Sequence, residues 1–120
     1  MKRTMIAAVL ATALPMTGHA EGFTTIDLGN EPNDAACVSH ARSAFNDYKQ
    51  EVRAGNIAAG KWTVALYDIY TDSYDAIITC NVGPRRQARA TLVVYAADGT
   101  DRSLRRNIAR RIKDIWRGRY

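Results

Sequence analysis

His40 follows Ser39 in the sequence, the nearest approach of a base to a nucleophile outside the N-terminal segment. Both lie in a stretch of helical periodicity, where neighbouring side chains diverge by about 100 degrees, so the pair cannot share a proton. Asp68, Asp72 and Asp75 gather around a predicted hairpin, but charged side chains at a turn tip commonly do no more than solvate it. Cys37 and Cys80 offer no thiolate once oxidised, and His40, the one histidine outside the N-terminal segment, cannot fill a zinc shell. The run Asp98-Gly-Thr-Asp101 is superficially like a calcium loop, yet it lacks the later ligands and the bidentate glutamate. Gly83-Pro-Arg-Arg is a basic turn without the Lys-Ser/Thr pair of a phosphate loop. The expectation is therefore no catalytic residue, no metal and no cofactor. An enzyme using His40 with a distant carboxylate is the outside alternative.

The amino terminus indicates a compartment. Met1 to Ala20 carries Lys2 and Arg3, an apolar run from Met5 to Leu14, Pro15, and the small-residue end Gly18-His-Ala20. That is the pattern of a secretory signal peptide cleaved near Ala20, and the apolar run is far below the roughly 20 residues that a spanning helix needs. No transmembrane segment is expected in residues 21–120, which read as one domain in the periplasm or secreted from the cell. Without Lys2 and Arg3 the formal charge falls from +5 to +3, so the chain is mildly basic. In an oxidising compartment the two cysteines are expected to pair as Cys37–Cys80.

The elements that position these residues follow from periodicity. Tyr74, Ala76, Ile78, Cys80 and Val82 fall on one side of a period-two strand, and Cys80 requires that side to meet Cys37. A short strand is expected within Gly22 to Leu28, ended by Gly29-Asn-Glu-Pro32. Asn33 is a candidate cap for a helix to about Arg53, with the stripe Cys37, Ala41, Ala44, Phe45, Tyr48 and Val52. Gly55 to Gly60 reads as a loop. Lys61 to Tyr70 reads as a strand with Trp62, Val64 and Leu66 on one face and Ala65, Tyr67 and Ile69 on the other. A hairpin around residues 71–73 would set Leu66 opposite Ile78 and Val64 opposite Cys80. Ala88 to Ala96 is the third long strand, with Ala90, Leu92 and Val94 inside. After Asp98-Gly99 a last helix carries the apolar stripe Leu104, Ile108, Ile112, Ile115 and Trp116. The order β-α-β-β-β-α predicts an α+β fold, an antiparallel sheet of three long strands plus a short N-terminal one, packed against two helices and stapled by one disulfide.

Two surface features remain. Tyr67, Ile69, Ile77, Val93 and Tyr95 are expected on the outer sheet face, with Ala65 nearby and Asp75, Thr79, Asn81, Arg89 and Thr91 around them. If both helices cover the other side, this is a polar-rimmed apolar patch of the kind that binds a protein partner or forms a homodimer. On the last helix, Arg102, Arg106, Arg110, Lys113 and Arg117 share one side, with Arg105 and Arg111 flanking the apolar stripe. That side is either a solvated face or a binder of anionic surfaces such as lipid, lipopolysaccharide or acidic glycan; export argues against nucleic acid. The leading expectation is a small exported, non-enzymatic interaction protein.

Overall fold

The computed structural model describes residues 22–53, 55–70, 74–96 and 101–119. The expected signal peptide (residues 1–20), the hairpin tip (71–73) and residues 98–100 lie outside them. The elements are β1 (Gly22–Glu31), α1 (Asp34–Val52), β2 (Asn56–Ala59), β3 (Thr63–Ile69), β4 (Tyr74–Val82), β5 (Ala88–Ala96) and α2 (Arg102–Trp116). All strand pairs are antiparallel, in the order β1-β5-β4-β3-β2. Helix α1 carries the chain from one edge of the sheet to the other, and β2 to β5 meander back until β5 closes against β1. The fold is α+β, as its element order predicts.

Both helices start where a side chain can accept an orphan backbone N–H. Asn33 is extended at the head of α1, and its Oδ1 accepts the Ala36 N–H at 2.8 Å. Asp101 does the same for α2, taking the Ser103 N–H at 2.7 Å. Asp34 in the first turn of α1 and Lys49 in its last match the signs that the helix dipole favours. Arg53 ends α1 in the left-handed conformation, and Gly55 follows with φ +104. A side chain at Gly55 would place its Cβ 2.7 Å from Leu66 Cδ1, so the chain can pass this close to the core there only as glycine.

The core lies between one face of the sheet and both helices. Cys37, Phe45 and Tyr48 from α1 and Ile108, Ile112 and Trp116 from α2 join Val64, Leu66, Ile78, Leu92 and Val94 in a single buried cluster. The Cys37–Cys80 disulfide ties α1 to β4 across this core, with Cα atoms 6.0 Å apart. Burial pushes the Tyr48 phenol well above its ordinary range, with Tyr70 reinforcing the shift, so the buried hydroxyl stays neutral. Among the described residues no polar or charged side chain is fully buried.

Five expectations are corrected. Residues 56–59 form strand β2 rather than a loop: Ile57 lies opposite Leu66 and packs at the edge of the core, which gives this short run a partner. Strand β1 does not stop at Gly29 but runs ten residues to Glu31, through an irregularity between Asp27 and Gly29. The β3–β4 register sets Val64 opposite Ile78 and Leu66 opposite Ala76, two residues from the expected pairing. The register breaks between Leu66 and Ile69, and within that break Asp68 takes φ +62, a left-handed conformation that Asp tolerates. Asp68 donates its N–H to Asp75 Oδ1 at 3.0 Å and accepts from the Asn56 amide. One extra residue inverts the alternation. Ile69 therefore points into the core and is fully buried, so it leaves the candidate interface. Trp62 and Val82, expected inside, are 52% and 53% exposed, because both lie at strand ends beyond the helices' cover. Lys61 Nζ sits 4.9 Å over the Trp62 ring, while the Trp62 carbonyl accepts the Cys80 N–H at 2.7 Å.

Candidate interaction surface

Directly paired residues on neighbouring strands point to the same side of a sheet, so the register assigns the outer face row by row. Thr25, Val93, Ile77, Ala65 and Ala58 form a central row across all five strands. On one side of it Phe23, Tyr95 and Asp75 are aligned, with Tyr67 level with them on β3. On the other side Asp27, Thr91, Thr79 and Thr63 make a polar row. The Phe23 and Tyr95 rings meet at 5.1 Å between centroids, tilted by 49°. Phe23 is 61% exposed and Tyr67 42%, while Ile77, Val93 and Tyr95 are half-buried by their neighbours. The structure thus brings together Tyr67, Ile77, Val93 and Tyr95 and adds Phe23. Alternation already sets Phe23 and Thr25 apart from Thr24, Ile26 and Leu28; the pairing of β1 with β5 was the missing information.

Both helices pack against the opposite face, α2 along β1 and β5 and α1 across β2 to β5. Among the described residues no helix or strand lies over Phe23, Tyr95, Val93, Ile77 and Tyr67. The face is polar at its far end, where Asn30, Arg89 and Asn81 align across β1, β5 and β4. With the β4–β5 turn residues Arg85 and Gln87 they line a shallow cleft of about 350 Å³. Arg89 pairs with Asp27, and that contact, with the Gly29 N–H, holds the Asp27 carboxyl below its ordinary range. The sequence already sets Asn81 and Arg89 on the rim of this face, and Asn30 joins them only through the pairing of β1 with β5.

The basic side of α2 has the expected composition. Arg102, Arg106, Arg110 and Arg117 are exposed and Lys113 is half-buried, and none of the five belongs to an ion pair among the described residues. The flanking arginines are engaged: Arg105 Nε donates to Thr24 Oγ1 at 3.0 Å, and Arg111 forks onto the Glu51 carboxylate of α1, holding that carboxyl below its ordinary range. Asp101 caps α2 and accepts a hydrogen bond from the Tyr74 hydroxyl at its carbonyl.

His40 is a structural tie. Its Nδ1 lies 2.5 Å from Glu31 Oε1 at the end of β1, its Nε2 lies 2.9 Å from the Trp116 carbonyl, and its ring stacks on the Trp116 ring at 3.6 Å. Both neighbours are acceptors, so the ring can serve both at once only by donating from each nitrogen. Ser39 is exposed on the other side of the helix.

Fold and surface together define a two-layer α+β domain, stapled by a disulfide, with one sheet face that no described helix or strand covers. No known protein family, curated protein or solved structure matches the chain.

Proposed function

We propose that this chain is a small exported, non-enzymatic interaction protein that binds a protein partner through the outer face of its sheet. The observation that carries the reading is the placement of both helices on one side, which leaves Phe23, Tyr95, Val93, Ile77 and Tyr67 as an apolar patch with a polar rim. Export to the periplasm or beyond rests on the signal-peptide pattern at the amino terminus, and the Cys37–Cys80 disulfide fits an oxidising compartment. The engagement of both His40 nitrogens in internal contacts supports a role without catalysis, since neither is left to move a substrate proton. Photocrosslinking in expressing cells tests the reading. Benzoylphenylalanine at Tyr95 is expected to give a discrete covalent adduct, and at Ser39, on the solvated side of α1, none. Equal labelling at both positions, or none at Tyr95, would reject it.

The basic side of α2, Arg102, Arg106, Arg110, Lys113 and Arg117, supports a second reading, attachment to anionic lipid. Arg106→Ala with Arg110→Ala is expected to change stability by less than about 1 kcal/mol, because exposed charges outside ion pairs contribute little. On this reading the pair also loses salt-dependent retention on phosphatidylglycerol vesicles. Retention equal to that of the parent protein would leave the stripe a solvated helix face.

A further inference from the structure

We infer that the occupant of the bare sheet face is a second copy of this chain, related to the first by a two-fold axis running along β4. The inference rests on the interface reading above and names its partner. Strand β4 is the third of five, so Ile77 stands near the middle of the face. A two-fold interface buries the same patch on both subunits, so the patch must complement itself. This one does. Turning a copy about β4 lays β5 over the partner's β3, which sets Val93 over Ala65 and Tyr95 over Tyr67, while Ile77 meets Ile77 on the axis. A branched side chain then faces a small one on each side of the axis, and an aromatic ring faces another.

The threonine row lies over itself under the same operation, Thr91 above Thr63, so polar groups meet polar groups. Asp75 lies on the axis in the aromatic row, so the operation sets it opposite its own copy, a like-charge meeting softened by the Asp68 N–H that its Oδ1 accepts at 3.0 Å. Size agrees as well. Five strands spaced about 4.8 Å apart, with rows covering roughly 25 Å along the strands, make a plane on the order of 600 Å². Two such faces in full contact bury about 1,200 Å², the lower bound of a stable, specific interface. Aligned sheets cross at about 30 degrees, which keeps the central row in contact and lets the corners diverge. The dimer is a four-layer sandwich with helices outside and two sheets within.

Light scattering on the purified, disulfide-intact protein tests this across micromolar concentrations. The expected mass is twice that of the chain. Ile77→Asp is expected to raise the dimer dissociation constant by about 100-fold or more, with the circular dichroism spectrum and melting midpoint of its monomer retained. Should that variant fail to fold, Tyr67→Asp, at a 42% exposed position, is expected to weaken the dimer at least about tenfold. Benzoylphenylalanine at Tyr95 in the purified protein should crosslink to β2 or β3 of the second copy. A monomer at all concentrations, a dimer indifferent to both substitutions, or crosslinks mapping away from β2 and β3 would overturn the inference. If the purified protein is a monomer while the cellular adduct has another mass, the second copy is wrong and the interface stands. If the cellular adduct is absent too, both fall.

Discussion

Ile78→Asp is expected to abolish the cooperative unfolding transition of this protein, whereas Ile77→Asp, one residue away, leaves it. Ile78 is fully buried in the cluster between the sheet and both helices. Removing its side chain forfeits about 3 kcal/mol of burial and packing, and a carboxyl without a partner in that apolar setting costs several kcal/mol more. Together these are comparable to the about 5 to 15 kcal/mol that stabilises a domain. The sign of the pH dependence follows. The new carboxyl would titrate above its unfolded value, so whatever stability survives is greatest in acid and is lost as pH rises through the raised pKa. Thermal melts of both variants, followed by circular dichroism at acid and neutral pH, check this. Equal damage from both substitutions would show that the two faces are alike and would remove the basis of the bare-face argument.

Cys37→Ala with Cys80→Ala is expected to cost about 4 kcal/mol, the chain-entropy value for closing a loop across 43 residues. The two sulfurs are almost wholly buried, so neither alanine leaves an unsatisfied polar group, and the loss measured in urea reports chiefly the constraint. Burial also shields the bond, so reductant without denaturant should act slowly, through transient opening of the core. A loss below about 1 kcal/mol in the double variant would mean that the helix and strand are held by packing alone.

How much of this was legible beforehand depends on what each residue answers to. Helix α1 was readable because Asn33, Pro32 and the stripe from Cys37 to Val52 are local signals, and the structure repeats them almost residue for residue. Strands β4 and β5 were readable because alternation runs through β5 and through β4 as far as Cys80. Strand β3 was misread at both ends: Trp62 precedes the strand and is exposed, and Asp68 adopts a left-handed conformation that no period-two pattern announces, which put Ile69 on the wrong face and β4 in the wrong register. Strand β2 was missed because four residues carry too little pattern to outweigh the glycines at both ends; its evidence is the edge of β3 that it completes.

The sequence by itself determined the α+β class, the Asn33 cap, the inward face of β5 and of most of β4, and the pairing of Cys37 with Cys80, since each depends on a short-range preference or on there being two cysteines to join. The tertiary structure alone decided that both helices lie on one side, that Phe23 packs against Tyr95, and that His40 closes β1 against the end of α2. A helix of given amphipathicity buries its stripe equally well on either face of a sheet with apolar residues on both sides. The choice is made by the chain connections and the strand order, which periodicity along a single strand does not encode.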